Sequence, residues 1–330
     1  MKISRRQLVA AMFALPLLAT LAAVWLAYQR DLRYERLRVA EGSQVIATGC
    51  GSIEFAATGR GPAVLLVHGA GGGFDQTLDV AQDLAARGYR AIAMSRFGYL
   101  RTPLPADASP AAQADAHACL LDALGIERAS IVGVSAGAPS SMQFALRHPQ
   151  RTGALVLLVP LAYAPREVEP MPAVTRFMLE KAVRSDLLYW AALNAAPSLV
   201  AKTVLATPPE VLAAASPQEQ ARARTVMQQL LPLSERRQGL LNDWAIGMSI
   251  ARYPLERIAV PTLVISLQDD LYRTFESARY TAVHISGARF VGYASGGHAW
   301  VGHHDEILAQ LVAFLGGGGG AAPASAASAP

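Results

Sequence analysis

Three short stretches of the chain place reactive side chains beside glycines or at the end of an apolar run. Ser135 is the centre of Gly-Val-Ser-Ala-Gly, His298 follows two glycines, and Asp269 and Asp270 end an apolar run. A histidine that a carboxylate orients can remove the proton of a serine hydroxyl, and the oxygen then attacks an acyl carbon. The three stretches together predict nucleophilic acyl transfer with Ser135 as the nucleophile.

The surroundings of Ser135 fit a turn that exposes a nucleophile. The pentapeptide at 133–137 lies between a strand predicted at 129–134 and a helix predicted at 136–147. A strand that turns sharply into a helix strains its central residue, and only glycine-sized neighbours avoid collision. This is the context of the nucleophile elbow. A plain turn rich in glycine and serine is the alternative, and the flanking strand and helix argue against it.

A second glycine-rich stretch can stabilise negative charge. The run His-Gly-Ala-Gly-Gly-Gly at 68–73 directly follows an apolar strand predicted at 63–67. We expect the backbone amides of Ala70 and Ala136 to form an oxyanion hole, each donor lowering the barrier by about 3 kcal/mol. A phosphate cradle is the alternative, but G-x-G-x-x-G and the P-loop lysine are both missing. His68 is predicted to hold the backbone of this loop and not to act as a base.

The elements that must position these residues alternate along the chain. Two hairpin strands are predicted at 44–48 and 52–56. Further strands are predicted at 63–67, 90–95, 129–134, 154–159, 262–266 and 288–293, and helices at 75–87, 110–124, 136–147 and 305–315. This alternation predicts an α/β fold with a doubly wound, mostly parallel sheet, whose two parts occupy 31–160 and 258–315.

The alternation stops between 161 and 257, where the sequence is helical, rich in alanine and interrupted by proline. We interpret this stretch as an inserted helical cap. Trp190 and Trp244 are its candidate substrate-binding residues, with Tyr189, Met227 and Met248 as further candidates, although such residues at helical spacing also suit plain packing. The glycine, alanine, serine and proline tail at 316–330 can bury almost nothing and is predicted to be disordered.

The N-terminus carries an apolar run long enough to cross a membrane. The 21 uncharged residues from Leu8 to Tyr28 would span about 31 Å as a helix, close to a hydrocarbon core of about 30 Å. We predict an uncleaved anchor at 1–30. The alternative is a cleaved signal, since Ser-Arg-Arg-Gln-Leu-Val at 4–9 is similar to the twin-arginine export signal and Thr-Leu-Ala at 20–22 could be cut. The export-like motif favours a body on the periplasmic or extracytoplasmic side.

Charge and cysteine content narrow the class of protein. Seven basic and two acidic residues between 2 and 38 contribute +5 to the net charge of +4, so the remainder is near neutral. This distribution indicates a membrane flank and argues against a nucleic-acid surface. The only two cysteines, Cys50 and Cys119, lie far apart in sequence, and we predict two unconnected thiols, with a disulfide in an oxidising compartment as the alternative.

These motifs resemble those of the α/β-hydrolase family. In that family the catalytic acid follows a strand in the pattern Gly-x-x-Asp. The same spacing here implies Asp270, with Leu267 in place of the glycine. Asp269 is the alternative acid. The chain order Ser135, Asp270, His298 is also the family's order. The resemblance runs from about 49 to 315 apart from the cap. Ser95 replaces the family's usual aspartate after the fourth strand, a change expected to affect loop stability more than chemistry.

The resemblance implies a serine hydrolase that needs no cofactor or metal. A serine at the elbow argues against halide and epoxide chemistry, for which related enzymes carry aspartate. Carboxylic esters are preferred, with lactones, thioesters and carbon–carbon bonds as alternatives. An acyltransferase, a cofactor-free peroxidase-type activity and a silent membrane-anchored binding module remain further alternatives. The expected partners are a small-molecule substrate and the membrane, without nucleic acid, and the oligomeric state stays open.

Overall fold

The computed structural model describes residues 5–165 and 184–317. Eight strands form one sheet in the order β1-β2-β4-β3-β5-β6-β7-β8. The strands are β1 (Gln44–Thr48), β2 (Gly51–Thr58), β3 (Ala63–Val67), β4 (Arg90–Met94), β5 (Ala129–Val134), β6 (Thr152–Leu158), β7 (Thr262–Leu267) and β8 (Arg289–Tyr293). Only the β1–β2 and β2–β4 pairs are antiparallel. The predicted α/β fold with a mostly parallel sheet is confirmed.

The strand order brings the two glycine-rich loops together. Strand β5 pairs with β3 in parallel register, so that Gly133 lies opposite Val67 at the carboxyl ends of the two strands. Both strands are apolar runs with both faces covered, as expected of central parallel strands. The loop after Val67 and the turn at Ser135 therefore leave the sheet side by side.

Helices cover both faces of the sheet. Buried side chains of α2 (Leu78–Ala86) and α11 (His304–Gly316) pack on one face. Those of α3 (Pro110–Ala123), α4 (Ala138–Arg147) and α10 (Thr274–His284) pack on the other. The pattern of the sequence did not predict α10, because its buried positions are mostly small or polar, such as Ser277 and Thr281.

An inserted helical segment lies between β6 and β7. Its described part comprises α5 (Asp186–Ala195), α6 (Pro197–Thr203), α7 (Pro209–Ala214), α8 (Pro217–Gln228) and α9 (Arg237–Met248). These helices share one apolar cluster that includes Trp190, Val200 and Met227. Residues 166–183 of the predicted cap and 318–330 of the predicted tail lie outside the described residues.

A single long helix, α1 (Arg5–Glu41), includes both the apolar run of the predicted anchor and the charged stretch that follows it. Large apolar side chains between Met12 and Leu26 are exposed, whereas Tyr28, Leu32 and Val39 are buried against the body. The helix thus docks from Tyr28 onwards, and the free apolar run ends two residues earlier than predicted. Within 5–165 and 184–317, this is the one helix long and apolar enough to cross a membrane.

Cys50 and Cys119 form a disulfide, and the prediction of two unconnected thiols was wrong. Cys50 lies in the turn between β1 and β2, and Cys119 lies on α3, which packs beside β1. The two residues are 69 positions apart in sequence, yet their Cα atoms are 6.0 Å apart. The approach depends on how the hairpin docks on α3, which the spacing of the two cysteines does not reveal.

Candidate active site

Ser135 lies at a strained turn between β5 and α4. Its φ is +50°, in the left-handed region that side chains disfavour, and a single turn of 3-10 helix from Ser135 to Gly137 leads into α4. A Cβ atom on Gly133 would lie 2.5 Å from the Ser141 hydroxyl, and one on Gly137 would lie 2.4 Å from the Val67 carbonyl oxygen. Both glycines of G-x-S-x-G are therefore required by steric contact.

The structure brings Ser135, His298 and Asp270 into one chain of hydrogen bonds. The Ser135 Oγ is 2.9 Å from His298 Nε2, and His298 Nδ1 is 2.7 Å from Asp270 Oδ2. Because a carboxylate only accepts, Nδ1 carries the imidazole proton and Nε2 is free to accept the serine proton. The three residues come from three different loops at the carboxyl edge of the sheet.

The carboxylate of Asp270 is fully buried and held by further donors. The Tyr272 amide donates to its Oδ1 at 2.8 Å, and the Thr274 hydroxyl donates to its Oδ2. Three donors on a buried carboxylate satisfy its oxygens and fix its orientation. Sequence reasoning missed Tyr272 and Thr274, although both lie within four residues of the acid.

Asp269, the fallback acid, does not contact the imidazole of His298. It accepts the amide of Gly296 at 3.0 Å and that of Gly297 at 2.8 Å. Both glycines have positive φ, and their amides converge on the one carboxylate. Asp269 therefore holds the backbone of the histidine loop, while Asp270 holds the ring.

The inserted segment also supports the histidine. The His298 amide donates to the Ala206 carbonyl at 3.3 Å, and the Ala299 amide donates to the Thr207 hydroxyl at 3.2 Å. The ring of Tyr272 meets the imidazole edge-on, with ring centroids 4.9 Å apart. Desolvation of the hydroxyl and, to a smaller extent, the charge of Asp270 raise the pKa of Tyr272 to about 12, so the phenol stays neutral. A stretch without any recognised motif thus contributes to the site.

Three amides of the loop at 68–73 donate hydrogen bonds within the fold, and that of Ala70 is not among them. The Gly69 amide donates to Gln76, the Gly71 amide to the Tyr99 hydroxyl and the Gly72 amide to the Gly69 carbonyl. In the described part of the chain, the Ala70 amide has no such acceptor. The Ala136 amide lies in the first turn of a helix, where amides have no helical partner. The role of these two amides as oxyanion donors stays a prediction.

His68 is structural, in agreement with its predicted role. The side chain is buried, its Nδ1 is 2.7 Å from the Gly69 carbonyl oxygen, and its Nε2 accepts the Arg96 amide at 3.0 Å. Burial and the nearby positive charge of Arg96 hold the pKa of His68 well below its usual value. The ring is therefore neutral, with its proton on Nδ1.

A buried ion pair joins this loop to the inserted segment. Both terminal nitrogens of Arg96 donate to Asp243 on α9 at 2.6 Å, and Arg96 also donates to the carbonyls of His68 and Gly69. The Tyr99 hydroxyl, which accepts the Gly71 amide, donates to Asp243 as well. The loop and α9 are therefore fixed relative to each other.

The two candidate tryptophans lie in different places. Trp190 is buried against α1, where its indole nitrogen donates to Asp31 at 3.0 Å and its ring packs on Tyr28. It therefore holds the N-terminal helix, and packing is its role here. Trp244 is half-buried on α9. It lies four residues after Leu240, which neighbours Gly71, so helical spacing directs it towards the same side.

Two further histidines lie beside acidic side chains near the end of the chain. His303 and His304 lie at the start of α11, beside Glu306 and Asp83 respectively. Across 5–165 and 184–317, no group of three or more His, Cys, Asp or Glu side chains could hold a metal ion. A cavity of about 280 Å³ between Leu100 and Gln238 contains none of the three hydrogen-bonded residues in its lining.

Residues 62–301 match the model of the alpha/beta hydrolase fold family. The chain belongs to this family. An alpha/beta hydrolase fold protein from Nakamurella multipartita superposes with a TM-score of 0.67 at 31% identity, covering 84% of this chain and 100% of that one. A bacterial membrane phospholipase A covers 96% of this α/β hydrolase and 100% of its own chain, with a TM-score of 0.63, and at 19% identity it is similar in fold.

Sequence relatives of this α/β hydrolase match over shorter stretches. A 2-hydroxy-6-oxo-6-phenylhexa-2,4-dienoate hydrolase of Comamonas testosteroni is 32% identical over 125 residues, which are 36% of this chain and 44% of the relative. The chain thus matches less than half the length of that curated relative.

Proposed function

We propose that this α/β hydrolase is a serine hydrolase that cleaves carboxylic esters through an acyl-enzyme on Ser135. The observation that carries the proposal is the continuous chain of hydrogen bonds from Ser135 Oγ through His298 to Asp270, with distances of 2.9 and 2.7 Å. The positive φ of Ser135 and the amides of Ala70 and Ala136 support the same function.

Each step of the proposed reaction has a group to perform it. His298 Nε2 takes the Ser135 proton as Oγ attacks the ester carbonyl, and the buried carboxylate of Asp270 stabilises the imidazolium that forms. The amides of Ala70 and Ala136 donate to the carbonyl oxygen as it becomes negative. Nε2 then protonates the departing alcohol, and a water molecule repeats the sequence on the acyl-enzyme to release the acid and restore Ser135.

We propose a small ester with an apolar acyl chain as the substrate. A small cavity of about 10 Å³ beside Ala136 is lined by Phe97, Pro139 and Ile246 and by the polar side chains of Arg96, Gln113 and Asn242. Trp244 lies on the helix that carries Ile246 and is our candidate for a further contact with the substrate.

A carbon–carbon bond hydrolase is the second candidate function, which the name and sequence of the Comamonas testosteroni relative favour. The same nucleophile could also serve a lactonase, a thioesterase, an acyltransferase or a cofactor-free peroxidase. Side-by-side assays with esters, a vinylogous diketone, and an alcohol or peroxide acceptor separate these reactions. Turnover of the diketone without turnover of esters would favour the second candidate.

We further propose that α1 anchors the enzyme in a membrane with its body on the extracytoplasmic side. The exposed apolar side chains between Met12 and Leu26 support the anchor. The disulfide between Cys50 and Cys119 supports an oxidising compartment, because cytosolic thiols are kept reduced. Export after cleavage of a twin-arginine-type signal is the alternative, and the mass of the mature chain distinguishes the two.

The test of the function is labelling with a fluorophosphonate probe, which phosphonylates an activated serine. We expect wild type and the control Ser249→Ala, altered at an exposed helix end, to be labelled and to hydrolyse a short-chain p-nitrophenyl ester. Ser135→Ala should show neither property. Labelling of folded Ser135→Ala at the wild-type level, or a folded wild type that is not labelled, would refute the proposal.

A further inference from the structure

A buried cluster of charges joins the N-terminal helix, the glycine-rich loop and the inserted segment. The Asp75 carboxylate accepts from Arg38 Nη1 at 2.7 Å and from Arg236 Nη2 and Nη1 at 2.8 and 3.0 Å. Arg38 belongs to α1, Asp75 follows the loop at 68–73, and Arg236 directly precedes α9. The side chains of Asp75 and Arg236 have no exposed surface, and that of Arg38 is 24% exposed.

This cluster touches the loop that carries the Ala70 amide. Arg236 Nη1 donates to the Gly72 carbonyl at 2.6 Å. A Cβ atom on Gly73 would lie 2.8 Å from the same nitrogen and 2.9 Å from Asp75 Oδ1. Gly72 is two residues from Ala70, so the Arg236 guanidinium fixes one carbonyl of the loop close to the Ala70 amide.

Arg38 completes the charge balance of the cluster. Burial by itself would raise the pKa of Asp75, but the charges and hydrogen bonds of Arg236 and Arg38 hold it below its usual value. Arg38 also donates to Glu35 at 2.6 Å, so the cluster holds two cations and two anions. Without Arg38, Asp75 Oδ2 would keep only its bond to Arg236, and the carboxylate that fixes Arg236 would be less constrained.

We propose that Arg38 is a positioning residue for the oxyanion loop. Through Asp75 and Arg236 it keeps the peptide at Gly72, and thereby the Ala70 amide, directed at the oxygen that becomes negative. The inference rests on the proposed serine hydrolase function. It divides α1 into an exposed apolar part, which serves as an anchor, and a docked part from Tyr28 to Glu41, which belongs to the catalytic body.

The test compares Arg38→Gln with Arg33→Gln, an exposed arginine on the same helix, in the detergent-solubilised full chain. Each variant is assayed on a p-nitrophenyl ester and on the matching thionoester, whose sulfur accepts hydrogen bonds only weakly. Loss of a whole oxyanion donor costs about 100- to 1,000-fold in kcat, so a misdirected one should cost roughly 10-fold. For Arg38→Gln we expect a kcat roughly 10-fold below that of wild type and a KM within about twofold of the wild-type value. The ratio of ester to thionoester turnover should also be smaller than in wild type.

Arg38→Lys keeps the charge and should recover most of the lost kcat. Should the glutamine variant not fold, Arg38→Met, which keeps the apolar part of the side chain, replaces it with the same expected outcomes. For folded Arg38→Gln, a kcat equal to that of Arg33→Gln would overturn the proposal. A lower kcat with the wild-type ester to thionoester ratio would overturn it as well. A wild type without ester turnover would instead refute the proposed function, and this inference with it.

Discussion

Asp269 and Asp270 are neighbours in sequence, and each holds a different part of the loop that carries His298. Asp270 accepts from the imidazole Nδ1 at 2.7 Å, and Asp269 accepts from the two glycine amides before the histidine at 2.8 and 3.0 Å. One carboxylate sets the tautomer of the ring, and the other sets the path of the backbone. Substitution of Asp269 and substitution of Asp270 should therefore affect catalysis differently.

Asp270→Asn should reduce kcat for ester hydrolysis by about 10,000-fold, because an amide in place of the carboxylate favours the wrong tautomer of His298. Asp269→Asn keeps one acceptor oxygen for the glycine amides and should cost roughly 10-fold, by loosening the loop. Steady-state kinetics on purified variants measure both effects. The reverse ranking would assign the orienting role to Asp269.

The motifs predicted Ser135, His298 and Asp270, and the structure brings these residues together. The supporting residues could not be predicted in the same way. Thr207 lies in a stretch without a recognised motif, Tyr272 lies just beyond the acid motif, and Asp75 and Arg236 are 161 positions apart. Isolated charges of this kind are usually solvated, so only the fold reveals that they meet in the interior.

Buried strands were predictable because a parallel strand covered on both faces is a short apolar run. β3 and β5 begin and end at the predicted residues. The extent of α1 was not predictable, since its last turns alternate charged and apolar residues that also suit a solvated flank. The docked face of α1 can be recognised only from the residues that it contacts in the fold, such as Trp190, which donates to Asp31.

Stability should fall as the pH drops below about 6.5. Burial, and then the charges of Arg96 and His148, lower the pKa of His117 from 6.5 to about 3, so between these values the unfolded chain binds a proton that the folded one does not. This contribution to stability is complete above pH 6.5 and is lost towards pH 3. One such group adds a slope of about 1.4 kcal/mol per pH unit to the free energy of unfolding.

Urea unfolding of His117→Gln between pH 6 and 4 measures this contribution. We expect the free energy of unfolding of His117→Gln to change less with pH than that of wild type, by about 1.4 kcal/mol per pH unit. Ser140→Ala is the matched control, because it removes the hydroxyl 3.1 Å from His117 Nε2 and leaves the titrating ring in place. An unchanged slope in His117→Gln would show that the ring is protonated in the folded state.

Reduction of the disulfide between Cys50 and Cys119 should destabilise the body. The bridge closes a loop over a separation of 69 residues, and the entropy lost by the unfolded chain corresponds to about 4 kcal/mol. Thermal unfolding of Cys50→Ser/Cys119→Ser should therefore occur at a lower Tm than that of wild type, and a reductant should lower only the wild-type Tm. Equal Tm values without reductant would indicate that the bridge does not form.

Two truncations should separate the anchor from the docked part of α1. A chain starting at Ala27 keeps Tyr28, Leu32 and Arg38, and we expect it to be soluble and active. A chain starting at Gly42 exposes the surface on which those residues pack, and should be unstable or inactive. Full-length protein should stay in the membrane fraction after a high-salt wash. Its release at full length would contradict the anchor.

The most direct test of the account is to trap the acyl-enzyme. Wild-type protein is mixed with a p-nitrophenyl ester, quenched in acid during the first turnover and digested, and the peptides are analysed by mass spectrometry. We predict the mass of one acyl group on the peptide that contains Ser135, and none in His298→Ala. Ester turnover without an adduct on that peptide, or with the acyl group on another residue, would contradict the proposed mechanism.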